Sequence, residues 1–336
     1  MKDLLALPRT PLAATPTPLQ PAFRLGEALG VELWFKRDDL TGLGLGGNKV
    51  RALEYLMADA LAQNCDCLVT GAGPQSNWAM LAALAARRCG LDPYLVCYGS
   101  PVAPSGNLLL DELAGADVRF TGDPDRASVD GGIDTLAGEL RRSGRRPCVL
   151  PRGGATVLGA AGYVRASLEL ADQLLEAGLA PARLWLATGS CGTQAGLVAG
   201  ARWLRAPYRV VGVTVSRPVE ECVARVTAFA CGVGQFHGVA RLDELRCGAA
   251  ADPGLSTQIA FRHGSAPLAH IDPFGPLNSV GAPPVTRNTT GPSSCPASAA
   301  SARLAIALAP NTGSRKIPSA RATSRAACSP AGDGTP

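Results

Sequence analysis

One lysine stands between a run of glycines and an apolar, helix-spaced segment, in the sequence GLGLGGNKVRALEYL at positions 42–56. The chain has four lysines against 28 arginines, so a side chain that served only as a positive charge would more often be arginine. Glycines let a ligand approach the backbone closely, and burial lowers the pKa of a lysine towards that of a nucleophilic amine. We therefore interpret Lys49 as a candidate for covalent chemistry, the alternative being a solvated loop residue.

A glycine-rich loop in LATGSCGTQAGL, at positions 186–197, connects a predicted strand to a predicted helix. Backbone N–H groups and the positive end of the helix dipole converge there, which suits a phosphate. The alternative is an ordinary glycine turn with a Ser or Thr cap. The candidate phosphate-binding residues are Thr188, Gly189, Ser190, Cys191, Gly192 and Thr193.

Another predicted strand leads into a helix in GAGPQSNWAM, at positions 71–80. A carboxylate could be held there by backbone N–H groups and the hydroxyl of Ser76. Gln75 and Asn77 flank this serine and are candidates for substrate binding with it. The alternative is a serine or asparagine that caps the helix with nothing bound.

The elements that must position these loops alternate as in an α/β protein. Ligands in largely parallel sheets lie at the carboxyl ends of the strands, where all three loops fall. The predicted strands are VELWFKR, CLVTG, YLVCYG, DVRFTG, PCVLP, RLWLAT and YRVVGVTVS. The predicted helices are NKVRALEYLMADALAQ, NWAMLAALAARRCG, SGNLLLDELAG, AGYVRASLELADQLLEAG, TQAGLVAGARWLR and PVEECVARVTAFA.

Composition excludes several other classes of protein. Residues 1–246 carry 25 basic and 24 acidic side chains, which argues against a nucleic-acid partner. All three histidines lie at or after position 237, and the cysteines have neither CxxC nor zinc-knuckle spacing, so we expect no metal site and reduced thiols. No apolar stretch is long enough to cross a bilayer, and we expect a soluble, cytoplasmic protein.

The composition changes after residue 246. Residues 247–336 hold 12 of the 27 prolines and no Glu, Trp, Tyr or Met, and only ARLAIALA at 302–309 is periodically apolar. We expect a low-complexity, disordered tail. Two explanations stay open: a flexible tail, and a segment translated from a shifted reading frame of GC-rich DNA.

Three features occur together: a lysine that can form an imine, a loop that can bind one phosphate, and a helix start that can bind a carboxylate. This combination is typical of a site that binds an amino acid on pyridoxal 5′-phosphate. The segments KRDDLTGLGLGGNKVR, QSN, TGSCGTQAGL and LPRGGATVLGAAGYVRA resemble the D-cysteine desulfhydrase and 1-aminocyclopropane-1-carboxylate (ACC) deaminase family. This family belongs to the tryptophan-synthase β-like, fold type II group. The resemblance runs from about residue 10 to about residue 220.

The resemblance implies two three-layer α/β/α domains with mostly parallel sheets. The larger, cofactor-binding domain would comprise residues 1–52 and 161–246, and the smaller domain residues 53–160. Residues 247–336 would form the tail without a recognisable fold. A homodimer is expected.

The resemblance also implies roles for the candidate residues. Lys49 would hold the cofactor through an imine and act as base at the substrate's α-carbon, with Asn48 beside it. Ser76 would lie near the substrate carboxylate and leaving group, Asn77 would bind the cofactor's 3′ oxygen, and residues 188–193 would hold its phosphate. The implied reaction is loss of a β-substituent from D-cysteine, giving pyruvate, hydrogen sulfide and ammonia.

The chain departs from the family pattern at four places. Ala52 replaces a lysine near the phosphate, where Arg51 is a possible substitute; Trp78 replaces histidine or glutamine; and Arg152 replaces a small or apolar residue. A closing segment with a tyrosine has no counterpart after Tyr208. ACC deaminase and cysteate lyase activity remain alternatives, and so does an inactive PLP-binding relative with an incomplete C-terminal site.

Overall fold

The computed structural model of the protein describes residues 6–214, 217–236, 259–263 and 304–308. In chain order these residues form β1 (Leu19–Pro21), α1 (Phe23–Leu29), β2 (Glu32–Lys36), a 3₁₀ turn (Asp38–Leu40), α2 (Lys49–Ala62), β3 (Cys67–Ala72), α3 (Asn77–Arg88), β4 (Asp92–Cys97), α4 (Asn107–Leu113), β5 (Asp117–Phe120), α5 (Ser128–Arg142), β6 (Pro147–Val149), α6 (Val157–Glu176), β7 (Arg183–Thr188), α7 (Gly192–Trp203), β8 (Arg209–Thr214), α8 (Val219–Phe236), β9 (Ile259–His263) and β10 (Leu304–Leu308). All seven predicted strands and all six predicted helices are present.

The smaller sheet has four parallel strands in the order β5-β4-β3-β6. Side chains along β3 alternate between its two faces, as a strand requires. Leu68 packs in the core formed with α2 and α3, whereas Cys67 and Val69 pack against α5. Helices therefore cover both faces, and this part of the chain is a three-layer α/β/α unit.

The larger sheet has the order β1-β2-β10-β7-β8-β9, and its strands are parallel except for β1, which is antiparallel to β2. Leu184, Leu186 and Val210 pack against α6, α7 and α8 on one face. On the other face Gly26 of α1 lies over Leu33 of β2, so closely that a Cβ on the glycine would lie 3.6 Å from the Cβ of Leu33. Helices therefore flank this sheet on both faces as well.

Two short segments of the expected tail are strands of the larger sheet. β10 pairs with both β2 and β7, and β9 pairs with β8. The apolar sequence LAIAL of β10 suits a strand with neighbours on both sides. The remaining expectations for 247–336, including the missing closing segment, lie outside the described residues.

Helices α2 and α6 run across the positions proposed as domain boundaries, after residues 52 and 160. Tyr55 of α2 packs in the core of the larger sheet, while Leu53 and Leu56 pack in that of the smaller sheet. The division into two domains at these positions stays a prediction. No helix in the described ranges is long and apolar enough to cross a membrane.

A buried ion cluster fixes the first turn of α2. Arg51 Nε and Nη2 donate to the two carboxylate oxygens of Asp38, at 2.9 and 2.8 Å. Arg51 Nη1 and Nη2 donate to the two oxygens of Glu169 in α6, at 2.9 Å each. Arg51 is 4% exposed and Asp38 is 1% exposed. Two bidentate pairs fix the orientation of this one buried guanidinium, and a second cation is needed to balance the two carboxylates.

Neighbouring side chains complete the cluster. Tyr163 of α6 donates its hydroxyl hydrogen to Asp38 Oδ2 at 2.6 Å, and Lys36 at the end of β2 donates to Glu169. Burial alone raises the pKa of Glu169, but the hydrogen bonds and charges of Arg51 and Lys36 outweigh burial and lower that pKa to about 2. Glu169 is therefore ionised at neutral pH, and the cluster joins β2, the 3₁₀ turn, α2 and α6.

We expect Arg51→Met to lower the free energy of unfolding by about 3–5 kcal/mol, because both carboxylates lose their shared cation in a buried site. Urea unfolding followed by circular dichroism measures this change. Arg88→Met, at the exposed end of α3, is the matched control and should change the same free energy by less than about 0.5 kcal/mol. An Arg51→Met protein as stable as this control would contradict the role given to the cluster.

Candidate active site

A cavity of about 300 Å³ lies at the carboxyl ends of β3 and β7. The structure brings most of the predicted site residues together around it. Its lining includes Asn48, Lys49, Ser76, Asn77, Thr188, Gly189, Ser190, Cys191 and Thr193, together with Trp78, Gly153, Ala187 and Gln194. Two predicted residues lie elsewhere: Gly192 lines a small adjoining space beneath the loop, and Gln75 lines a second cavity.

Lys49 is the first residue of α2 and is half-buried in the cavity wall. Its Nζ donates to Ser190 Oγ at 2.9 Å. Burial lowers the pKa of Lys49 to about 8, from an ordinary value of 10.5, and the neighbouring Cys191 opposes this shift only in part. A larger fraction of this amine is therefore neutral, and so nucleophilic, near neutral pH than for an ordinary lysine.

Lys36 is the other lysine in the described part of the chain, and its ammonium is already bonded. Its Nζ donates to the carbonyl of Thr17 at 2.6 Å, to Gln173 Oε1 at 2.7 Å and to Glu169. These acceptors use all three of its N–H bonds. Of these two lysines, only Lys49 presents its amine to the cavity.

The loop from Thr188 to Thr193 connects β7 to α7. Its turn depends on Cys191, which has a φ of 74°, a left-handed conformation that is uncommon for a residue with a side chain. The N–H groups of the first turn of α7 have no intrahelical partners and point towards the cavity end of the helix. Asn48 Nδ2 donates to Thr193 Oγ1 at 2.9 Å, which ties this loop to the residue before Lys49.

Gln194, a residue that sequence reasoning missed, lies directly after this loop. Its Oε1 accepts a hydrogen bond from Thr188 Oγ1 at 2.7 Å. Its side chain is fully buried, yet its Nε2 has no hydrogen-bond partner among the described residues. A buried amide donor without a partner costs free energy unless a ligand accepts from it. Gln194 is therefore a further candidate for binding a group in the cavity.

Ser76 caps α3. Its Oγ accepts from the backbone N–H groups of Trp78 and Ala79, at 3.1 and 3.3 Å. This is the geometry of an ordinary helix cap, but it leaves the hydroxyl hydrogen available to a ligand. The capping interpretation and the carboxylate-binding interpretation are therefore compatible.

Asn77 is oriented by Asn107, which sequence reasoning also missed. Asn107 is fully buried and its Nδ2 donates to Asn77 Oδ1 at 2.8 Å. Asn77 Nδ2 can therefore donate into the cavity. Gln75 is held differently, because its Nε2 donates to the Ser105 carbonyl and its Oε1 accepts from the Asn107 N–H.

The ring of Trp78 packs against Gly154, which lines the small space beneath the loop. Its ring is 2% exposed, and its Nε1 donates to Thr70 Oγ1 at 2.9 Å. A Cβ at Gly154 would lie 2.2 Å from this ring, so no larger residue fits there. Trp78, which departs from the family pattern, is therefore a well-packed residue of the cavity wall.

The suggestion that Arg51 substitutes for the missing lysine is wrong. Its guanidinium bonds to Asp38 and Glu169 in the buried cluster. The physical reason is helix geometry, because a residue two positions after Lys49 lies about 200° around the helix from it. Ala52, by contrast, lines the small space beneath the loop with Gly192 and Thr193.

These residues fit an aldehyde cofactor that carries a phosphate. The buried amine can react with an aldehyde, the first turn of α7 and the orphaned amide of Gln194 can bind an anion, and Asn77 can donate to a ring oxygen. The fold and cavity are those of an α/β enzyme, and Lys49 is the candidate for holding such a cofactor.

Comparison with known proteins gives the family. The family model described as "Pyridoxal-phosphate dependent enzyme" matches residues 11–255. The chain belongs to this family, and its cofactor is pyridoxal phosphate.

Two relatives are similar over most of the chain. A putative ACC deaminase of Pyrococcus furiosus is 39% identical over 239 residues, covering 71% of this chain and 72% of the relative. A D-cysteine desulfhydrase of Salmonella choleraesuis is 39% identical over 236 residues, covering 68% and 70%. These matches confirm the resemblance inferred from the motifs.

Two solved structures share the fold. One, described as an ACC deaminase homologue, has a TM-score of 0.67 and 38% identity and covers 71% of this chain and 72% of its own. The other, a threonine deaminase from the organism abbreviated T.th., has a TM-score of 0.53 and 26% identity and covers 64% of each chain. The expectation of a fold type II enzyme with mostly parallel sheets is confirmed.

We expect the rate of covalent pyridoxal phosphate uptake to rise as pH is raised from about 6.5 to 9, with a midpoint near 8, because only the neutral amine of Lys49 reacts. Absorption spectroscopy follows the uptake, and Lys49→Arg is the control that binds without a covalent bond. Borohydride reduction and peptide mapping should then place the pyridoxyl group on Lys49. Label on Lys36, or a rate that keeps rising towards pH 10, would contradict the assignment.

We expect Ala52→Lys to tighten cofactor binding by about tenfold or more, because it adds an ammonium beneath the loop proposed to hold the phosphate. Fluorescence titration of the apoprotein measures this affinity. Ala62→Lys, at the exposed end of α2, adds the same charge about 15 Å further along the helix and should change the affinity little. Equal affinities in the two variants would count against this phosphate position.

Proposed function

We propose that this protein catalyses β-elimination from a small amino acid, with D-cysteine as the reference substrate, giving pyruvate, hydrogen sulfide and ammonia. The observation that carries the proposal is the amine of Lys49, which has a lowered pKa and lines one cavity with Ser76 and Asn77. The names of the two relatives, a D-cysteine desulfhydrase and a putative ACC deaminase, support lyase or deaminase chemistry.

Lys49 is the proposed base. When bound, pyridoxal phosphate takes up the negative charge that forms at the substrate's α-carbon. Lys49 Nζ would accept the α-proton, and the lowered pKa makes the neutral amine available near neutral pH. The hydrogen bond from Lys49 Nζ to Ser190 Oγ orients the amine in the cavity.

Ser76 and the first turn of α3 are proposed to bind the substrate's carboxylate. The hydroxyl of Ser76 can donate to one oxygen, while the positive end of the helix dipole favours the negative charge. Asn77 Nδ2, held in place by Asn107, is proposed to donate to the cofactor's 3′ oxygen. Residues 188–193, with Gln194, are proposed to hold the phosphate.

Two alternatives act through the same residues. Cysteate lyase activity needs the same base and the same anion sites. ACC has no proton on its α-carbon, so ACC deaminase activity would use the same cofactor and carboxylate sites but would not begin with removal of an α-proton. An inactive PLP-binding relative is favoured by one observation, the alanine at position 52 beneath the loop. A homodimer and a cytoplasmic location stay predictions.

We expect purified holoprotein to release pyruvate from D-cysteine, and Lys49→Ala to release none, because it lacks the base. Ser76→Ala should lower kcat/KM by about 10- to 100-fold, because it loses one hydrogen bond to a charged group. Ser76→Thr retains both the cap and the hydroxyl and is the matched control. The parent protein and the three variants are compared by measuring pyruvate released from D-cysteine and L-cysteine and 2-oxobutyrate released from ACC.

Three outcomes would change the proposal. Pyruvate release by Lys49→Ala at the parent rate would exclude Lys49 as the base. Production of 2-oxobutyrate from ACC without pyruvate from D-cysteine would favour the deaminase alternative. Cofactor binding without turnover of any of these substrates would favour the inactive relative.

A further inference from the structure

A second cavity, of about 560 Å³, adjoins the one that contains Lys49. The two cavities share Ser76 and Gly153 among their lining residues. Gly153 follows β6 with a φ of 75°, a left-handed turn that only glycine adopts without strain. The second cavity therefore opens beside the residue proposed to bind the substrate's carboxylate and leaving group.

Three arginines line this second cavity: Arg126, Arg152 and Arg217. Among the described residues that line it, none is Asp or Glu. Arg152 is the position at which the motif pattern leads us to expect a small or apolar residue. A guanidinium binds the oxygens of carboxylate, sulfonate and phosphate groups through paired N–H donors.

Each guanidinium retains capacity for a ligand. Arg152 Nε and Nη2 donate to the two oxygens of Asp130 at 3.1 and 2.9 Å, which orients the group and leaves Nη1 without a partner among the described residues. Arg217 Nε donates to the carbonyl of Gly189 at 3.1 Å. Arg126 is exposed and forms no ion pair or hydrogen bond with any described residue.

The three lining arginines and the two carboxylates that form ion pairs with them sum to one positive charge. Asp130 pairs with Arg152, and Glu221 pairs with Arg217, while Arg126 has no such counter-ion among the described residues. Both carboxylates lie outside the cavity lining. An anion that enters the cavity therefore meets donors and net positive charge.

We propose that the substrate class of this enzyme is an amino acid whose β-carbon carries an oxyanion leaving group, a sulfonate or a phosphate, and that Arg152 with Arg126 binds this group. The inference rests on the proposed β-elimination. The α-carboxylate would be held at Ser76 and the β-oxyanion in the adjoining cavity, so each negative charge of the substrate has its own site. D-cysteine, which has no oxyanion, would use only the first site.

The reaction balances without an oxidant or reductant. Lys49 takes the α-proton, and the bond between the β-carbon and the oxyanion breaks with its electron pair leaving on sulfite or phosphate. Water then replaces the amino group to give pyruvate and ammonia. The departing group gains negative charge as this bond breaks, so arginines placed beside it stabilise the transition state more than the bound substrate.

The test measures binding and turnover separately on the holoprotein. The holoprotein is titrated with each enantiomer of cysteate and of O-phosphoserine and, for comparison, with alanine of the same chirality. The change in cofactor absorption gives the dissociation constant of each amino acid. We expect the acidic amino acids to bind at least about tenfold more tightly than alanine. In Arg152→Val and in Arg126→Gln the ratio of the dissociation constant of alanine to that of the acidic amino acid should fall towards one. Arg119→Val, which removes a surface arginine paired with Glu139, is the matched control and should retain the ratio.

Either of two results overturns the inference. One is that neither acidic amino acid binds more tightly than alanine, including the case in which neither binds. The other is that the ratio is retained when Arg152 and Arg126 are both replaced. Pyruvate release from β-chloroalanine, which has a neutral side chain and a good leaving group, tests the elimination itself. Absence of pyruvate from β-chloroalanine would refute the proposed β-elimination. The ratio of dissociation constants would still test whether the arginines bind the oxyanion.

Discussion

The buried ion cluster around Arg51 is the constraint on which the rest of the site depends. Arg51 lies two residues after Lys49 in the same helix, so the pairs with Asp38 and Glu169 fix the rotation of α2 about its axis. A buried ion pair is sensitive to small displacements, because a longer distance between the charges weakens their attraction while no water is present to hydrate them. The cluster therefore determines which way the amine of Lys49 points, although it does not touch the cavity.

Helix α6 connects this constraint to the loop at residues 188–193. Gly162 lets α6 approach α2 so closely that a Cβ there would lie 2.2 Å from the carbonyl oxygen of Arg51. In α7, Gly196 allows an equally close approach to α6, at 2.2 Å from the carbonyl oxygen of Ala160. The helix that begins with Lys49 and the helix that begins after the loop are thus both packed against α6, and their separation is fixed by backbone contacts.

Sequence patterns predict the elements and the loops but not the contacts between them. The strands and helices that were predicted have strong apolar periodicity, and the three loops follow strands, where ligands bind in such folds. Helix α5 was not predicted, because its sequence SVDGGIDTLAGELRR contains three glycines. Its apolar face is nevertheless buried, with Val129, Ile133 and Leu136 packed in the core. The roles of Asn107 and Gln194 depend on hydrogen bonds that no local spacing reveals. The prediction that Arg51 contacts the phosphate was wrong because Arg51 lies on the other side of the helix from Lys49, where its partner Glu169, 118 residues away in sequence, is not revealed by local spacing.

The position of β10 has a consequence for how the chain acquires its structure during synthesis. The smaller sheet is built from residues 67–149, so it can form soon after its last strand leaves the ribosome. The larger sheet cannot, because β10 lies between β2 and β7 and is separated from β7 by more than 100 residues of chain. Until that strand arrives, β2 and β7 each present an unpaired edge to the nascent chain and its surroundings. Lys49 and the loop at residues 188–193 follow those two strands, so their positions relative to each other are fixed only after β10 has been synthesised.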